Sequence, residues 1–263
     1  MASGYNFITY EENNATAIIS INRPELYNAL NAEAKMEIVK GIREANKNPA
    51  IRSIILTGNG KAFCTGQDLN DRSIQAINGG VDLGNTLQTE WNPLVASIKG
   101  SKKIIIAAVN GVCAGAGISV AIACDLIISK PKIKFVGAFT RLGLAPDAGS
   151  SYTFVRTLGY QKAIEFILMG LPLLAEDLLA AGLINALDES VLERALEYST
   201  TINKLSPLST ETVKKNLLAA LDSNYNESME RETIAQRFLG NSSDYKEGLS
   251  AFLEKREPQF TGN

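Results

Sequence analysis

Apolar runs alternate with polar, glycine-bearing breaks along the first half of the chain, and the spacing within each run separates strand from helix. Thr16–Ile21 reads Thr-Ala-Ile-Ile-Ser-Ile, a β-branched run that stops at Asn22-Arg23-Pro24, so it predicts a strand and a turn. Residues 31–46 have helical spacing, with Met36, Ile38, Val39 and Ile42 predicted on one apolar face. Residues 53–57 predict a short buried strand closed by Gly58-Asn59-Gly60. The polar, glycine-containing residues 71–84 predict a mobile loop, followed by a helix over 87–98 and a strand over Ile104–Val109. Small residues from Gly111 to Gly117 lead into an apolar helix over 118–124. A strand at Leu126–Ser129 then precedes Lys134-Phe135-Val136. Repeated strand–helix alternation predicts an α/β core with both sheet faces covered.

After Tyr152 the pattern turns helical, over 161–168, 175–181, 189–205, 210–224, 227–238 and 245–255, punctuated by Pro207 and glycines. A helical tail on an α/β core packs on that core or on another subunit.

Composition narrows the chemistry. A chain of 263 residues with 45% hydrophobic content can bury a substantial core. Its 26 basic and 28 acidic residues form no long block, so neither nucleic acid nor an anionic membrane is an expected partner. Met1-Ala2-Ser3-Gly4-Tyr5 lacks the basic start and apolar stretch of a signal peptide, and the longest apolar runs are too short to span a bilayer. A soluble, cytoplasmic protein is the expectation. Cys64, Cys113 and Cys124 fit no disulfide framework and no metal spacing. The chain has no histidine, so no metal site is expected and a Ser-His-Asp triad is excluded. Proton transfer falls to a carboxylate, a lysine, a tyrosine or water.

Three segments could carry chemistry, and each also has a plain structural reading. Asp147 is the one ionisable side chain in Leu142-Gly-Leu-Ala-Pro-Asp-Ala-Gly-Ser-Ser151, where low polarity would raise its pKa toward that of a proton shuttle. An Asp after Pro also suits a turn or helix cap. Phe63-Cys-Thr-Gly-Gln-Asp-Leu69 follows a strand, and its small residues would let backbone N–H groups approach a ligand, or simply form a turn. Asn110 to Gly117 opens a helix with Ala-Gly-Ala-Gly, exposing N–H groups suited to an oxyanion, or else allowing tight helix–sheet packing. Its glycine spacing matches neither a dinucleotide-binding fingerprint nor a P-loop.

In this order the segments Ile18-Ser-Ile-Asn-Arg-Pro-Glu-Leu-Tyr-Asn-Ala-Leu30, Phe63 to Leu69, Ala108 to Gly117, Cys124-Asp125 and Leu142 to Asp147 resemble the crotonase, or enoyl-CoA hydratase/isomerase, family. The resemblance runs from about Asn6 to Arg256. It implies an α/β, crotonase-like spiral of ββα units over residues 1–200, and a helical C-terminal trimerisation region over 201–263 of the same domain. It further implies a homotrimer or dimer of trimers, an acyl-CoA thioester substrate, and no cofactor beyond the coenzyme A of that substrate. The positions matching the family's two thioester-binding N–H groups are Gln67 and Ala116, the latter often glycine in the family. The ADP end of coenzyme A is expected near Leu26, Tyr27 and the loop of Ala62, Thr65, Gly66, Gln67, Asp68 and Leu69. Gly115, Phe139, Leu142 and Pro146 are expected at the substrate, with Trp91 and residues 71–84 lining the acyl pocket. Lys255 or Arg256 are candidate phosphate contacts.

The acids distinguish the reactions the family runs. Its hydratases place two glutamates around a water, where this chain has Ser119 and Phe139, neither of which is a base. Asp147 matches the single carboxylate of the family's isomerases, which implies a 1,3-proton shift. Gly66 to Arg72, Asn92-Pro-Leu94, Ser243 to Gly248 and Glu257 to Gly262 resemble isomerases of ring-1,2-epoxyphenylacetyl-CoA in phenylacetate degradation. Ser150-Ser-Tyr-Thr-Phe154 resembles Δ3,Δ2-enoyl-CoA isomerases of fatty acid β-oxidation. A hydratase using Asp147, and a non-catalytic acyl-CoA-binding protein, remain the rival readings.

Overall fold

The computed structural model describes residues 4–71 and 80–263. A strand hairpin, β1 (Ile8–Asn13) and β2 (Thr16–Ile21), begins the main sheet and is followed by helix α1 (Ala32–Lys47). Three strand–strand–helix turns come next. The first is β3 (Ser53–Gly58) and β4 (Ala62–Cys64), then α2 (Leu83–Thr86), which passes through a π-helical stretch (Leu87–Trp91) into α3 (Asn92–Lys99). The second is β5 (Ile104–Val109), β6 (Val112–Ala114) and α4 (Ala116–Ala123). The third is β7 (Leu126–Ser129), β8 (Lys134–Val136) and α5 (Ser150–Leu158).

In each turn the long strand joins one sheet and the short strand the other. The first sheet has order β1-β2-β3-β5-β7-β10, with β10 at Ala186–Leu187. The second has order β4-β6-β8-β9, with β9 at Leu173–Leu174. Pairing is parallel from β2 through β10, and antiparallel at β1–β2 and β8–β9. This is the spiral of ββα units implied by the sequence.

Parallel strands are buried on both faces, which explains why β2 and β3 read as continuous apolar runs. Along β3, Ile54 and Leu56 face the main core while Ile55 faces Val191 and Ala195 of α8 (Val191–Asn203). The chain continues through α6 (Tyr160–Met169), which follows α5, α7 (Ala175–Ala180), which follows β9, and then α9 (Pro207–Ala220), α10 (Tyr225–Leu239) and α11 (Ser243–Glu254). Lys214 of α9 pins this last group to the core, pairing with Asp125 at 2.8 Å, while Asp125 also accepts from the Ile105 N–H. Among the described residues no helix is long and apolar enough to cross a membrane.

Three expectations need correction. Met36 is 65% exposed and does not join the apolar face of α1; the helix is rotated so that Ala34, Lys35, Ile38, Ile42 and Ala45 are buried. The apolar count favoured methionine over lysine, yet the buried positions are 34/35, 38, 41/42 and 45, which is the true helical stripe. Helix α5 was not expected, and the three-residue strands β4 and β6 are too short to show a period. The helix expected from residue 87 is preceded by α2, so the end of the segment expected as a loop is helical; residues 72–79 of that segment lie outside the described residues.

Candidate active site

The loop after β4 is held from the N-terminal side of the chain. Leu30 forms a parallel bridge with Gln67: the Leu30 N–H donates to Gly66 O at 2.7 Å, and the Asp68 N–H donates to Leu30 O at 3.0 Å. This pattern uses the groups on either side of Gln67 and turns its own N–H away from Leu30. Arg23 closes the loop from below, its guanidinium 2.8 Å from the Asp68 carboxylate. Asp68 therefore braces the loop rather than presenting a free charge. Asn28, fully buried, spans three segments by accepting from the Arg23 N–H and donating to the carbonyls of Asn59 and Ala62.

Helix α4 meets this loop end-on, because β4 and β6 pair at Cys64 and Cys113. Ala116 is its first helical residue, so its N–H has no partner within the helix. A Cβ at Gly66 would lie 3.0 Å from the Ala116 nitrogen, which places the Gly66–Gln67 peptide against the start of α4. A Cβ at Gly117 would sit 2.2 Å from the Cys64 carbonyl oxygen. Gly66 also has φ +91°, and Gly115 before the helix has φ +51°. Glycine thus permits the close packing that the small-residue segment suggested, with the loop after β4 set against the start of α4.

Asp147 is fixed on the turn before α5. Its backbone carbonyl accepts from Ser119 Oγ at 3.1 Å, from the Ser150 N–H at 3.0 Å and from Ser150 Oγ at 2.7 Å. Ser119 lies one turn beyond Ala116 in α4, so a single helix anchors both features. Ala148 and Gly149 follow with φ +48° and +81°, a left-handed pair that reverses the chain. The Asp147 Oδ1 atom is buried with no hydrogen-bond partner among the described residues. Burial raises the carboxyl pKa to about 6, opposed by the nearby Lys35 ammonium.

Lys35 lies under the loop. Its ammonium is 2.8 Å from Gln67 Oε1 and 2.6 Å from Glu90 Oε2, and the Trp91 indole N–H donates to the same Gln67 oxygen at 3.1 Å. Sequence reading missed Lys35, Ser119's anchoring role, Asn28 and Arg23. A lysine within the buried stripe of α1 was the available signal for the first. The others depend on contacts between distant segments.

The remaining expected residues have varied settings. Ala62 and Phe139 are buried, while Tyr27, Leu69 and Leu142 are exposed on the rim. Leu26, Thr65, Gly115 and Pro146 are half-buried, and Thr65 Oγ1 donates to Tyr27 O at 3.1 Å. Cys64 is buried and its thiol is pushed up to about 12 by burial, so it is no nucleophile. Arg256, one of the two candidate phosphate contacts, pairs with Glu247 and Glu254 at 2.6 Å each.

The profile of the family described as enoyl-CoA hydratase/isomerase matches residues 11–263. The chain belongs to this family. It is 35% identical over 258 residues to 1,2-epoxyphenylacetyl-CoA isomerase of Escherichia coli (strain K12), covering 97% of this chain and 98% of that protein. It is 37% identical over 260 residues to the "probable enoyl-CoA hydratase" of Rhodobacter capsulatus, covering 98% and 99%. The crystal structure of an enoyl-CoA hydratase from Polaromonas sp. JS666 superposes with a TM-score of 0.91 at 30% identity, covering 96% of this chain and 99% of that one. Acyl-CoA thioesters are the substrate class consistent with the enoyl-CoA hydratase/isomerase family. Isomerases and hydratases both occur among these relatives, so the reaction turns on the acids. A separate apolar cleft of about 1040 Å³ between β5, β7 and α9 to α11 is lined by residues such as Leu217 and Phe252. It includes neither Asp147 nor Gln67, and its chemistry is that of a packing surface.

Proposed function

We propose that this protein is an acyl-CoA isomerase in which Asp147 is the sole proton shuttle and the N–H groups of Gln67 and Ala116 hold the thioester oxygen. One observation carries the reading: a carboxylate whose buried Oδ1 has no partner among the described residues and whose pKa is about 6 is anchored through its backbone to Ser119 of α4, while positions 119 and 139 hold Ser and Phe. The Asp147 carboxylate takes a proton from one acyl carbon. The C–H electron pair moves into the conjugated system, and negative charge collects on the thioester oxygen. The two N–H groups stabilise that dienolate, each by about 3 kcal/mol in the transition state. Asp147 then returns the proton two carbons away. No electrons leave the substrate, and no further cofactor is required.

In this reading the nucleotide end of coenzyme A runs past Leu26, Tyr27 and the 62–69 loop, and the acyl group extends toward Phe139, Leu142 and Pro146. The E. coli relative, a 1,2-epoxyphenylacetyl-CoA isomerase, favours that epoxide as substrate. Apolar side chains exposed on α9 to α11 support assembly as a trimer or a dimer of trimers.

The test is incubation with crotonyl-CoA, 3-hexenoyl-CoA and 1,2-epoxyphenylacetyl-CoA, followed by product analysis. Migration of the 3-ene into conjugation, with slow hydration of crotonyl-CoA, is expected. Rapid hydration of crotonyl-CoA without migration would establish the hydratase reading instead. Conversion of the epoxide assigns the aromatic substrate, and its absence assigns the fatty one.

A further inference from the structure

A lysine with 1% of its side chain exposed is costly unless its charge is met, and an apolar residue would fill the same space in α1. Here the ammonium is met at one end of the candidate site. Gln67 Oε1 receives Lys35 from α1 and Trp91 from the π-helical stretch, while Gln67 Nε2 donates to Asp68 O at 3.2 Å. The Gln67 side chain is thus held at both polar ends, and its backbone is held by the bridge to Leu30. Lys35 also lies over Trp91, its nitrogen 4.5 Å from the ring centroid, a cation–π contact. The titratable groups facing the ammonium among the described residues are Glu90 on the π-helical stretch, Cys64 at the end of β4 and Asp147 before α5.

Resting on the reading of Gln67 as a thioester-binding donor, we propose that Lys35 is a positioning residue for the reaction. It locks the Gln67 side chain so that the Gln67 N–H stays aimed at the thioester oxygen. It also places one positive charge close to both the developing dienolate and the Asp147 carboxylate. No relation of sequence spacing links residues 35, 67, 91 and 147; the fold alone gathers them. Lys35 forms no bond to substrate in this scheme, and its effect passes through Gln67 and through the field.

Two readouts separate this role from plain packing. 2,4-Hexadienoyl-CoA absorbs at longer wavelength when its thioester carbonyl is polarised, so its bound spectrum reports the N–H donors without turnover. The pH profile of 3-hexenoyl-CoA isomerisation reports Asp147. In Lys35→Met, kcat is expected to fall about 10- to 100-fold, the scale of a misplaced oxyanion donor, with KM within about threefold. The dienoyl red shift should shrink, and the acid limb should move to higher pH because a cation near the carboxylate is gone. Lys35→Met/Glu90→Gln, which removes the charge from both members of the Lys35–Glu90 pair, should behave alike and keeps the test readable if the single variant does not fold.

Unchanged kcat, red shift and acid limb in either folded variant would overturn the proposal. Failure of both variants to fold would overturn it too, assigning Lys35 to the core. If the wild type isomerises nothing yet shifts the dienoyl spectrum, and the variants lose that shift, the isomerase reading falls while the role of Lys35 in aiming Gln67 stands. A wild type with no spectral shift leaves no donor to position, and both readings fall.

Discussion

In the proposed isomerase the chemistry rests on Asp147, a side chain whose pKa burial raises to about 6. Asp147→Asn keeps the shape and the anchoring of the backbone carbonyl by Ser119 and Ser150, but removes the base. Its kcat for 3-enoyl isomerisation is expected to drop by about 10²- to 10⁴-fold, the usual contribution of a positioned general base, measured by following conjugation spectroscopically. In the wild type, kcat/KM should fall as pH drops through about 6, where the carboxyl takes up its proton. The same shift has a thermodynamic sign. A carboxyl whose folded pKa is raised binds its proton more tightly when folded, so the associated stability is fully present below the unfolded value of about 3.9. It is lost as pH rises through about 6. Asp147→Asn should therefore be the more stable protein at pH 8, by about 1–2 kcal/mol once partial exposure is discounted, and the gap should close near pH 4. Chemical denaturation at the two pH values checks this; a variant less stable at pH 8 would contradict it. The sequence showed the apolar setting of Asp147. It did not show Lys35 opposing that setting, because their proximity is made across more than a hundred residues.

The longer buried strands were legible element by element: β2, β5 and β7 fall on the expected residues and β3 runs one residue past them, because buried parallel strands read as unbroken apolar runs. The short strands β4 and β6 did not show themselves, although they are the elements that bring the site together. Three residues carry no period; their strand character comes from pairing with each other and with β8. The junction they create is intolerant of volume. Gly117→Ala would drive a Cβ to 2.2 Å from the Cys64 carbonyl oxygen, a contact that only backbone movement relieves. We expect a loss of about 1–3 kcal/mol of stability, the cost of overpacking, together with a loss of activity as the N–H groups of Gln67 and Ala116 move apart. A thermal melt and an isomerase assay on the same preparation check both. A Gly117→Ala protein with wild-type activity would show that the two N–H groups do not act as a unit. Helix α1 gives the same lesson in reverse. Its existence was plain from the pattern, but its rotation about its own axis was not, and a shift of one position exchanged Met36 for Lys35 on the buried side.

On the scale of the whole molecule, the C-terminal helices leave large apolar side chains uncovered, with Phe252 at 80% and Leu253 at 72% exposure. Surfaces of this kind are covered by partners in stable proteins. Light scattering is expected to give three or six times the chain mass of 28.3 kDa. Phe252→Asp/Leu253→Asp should lower that mass, and a monomeric wild type would defeat the proposed assembly. The amino-acid sequence by itself determined the family, the α/β alternation, the absence of histidine chemistry and the isolation of one carboxylate among small residues. These are local or compositional properties, written in spacing and residue type. Only the tertiary structure decided what surrounds that carboxylate: the Ser119 anchor, the packing of the Gly66–Gln67 loop on the start of α4, and the charge of the buried Lys35. Such features arise where two sheets and the start of one helix meet. Their residues are remote along the chain, and each is an ordinary turn, cap or core position until packing brings it to the others.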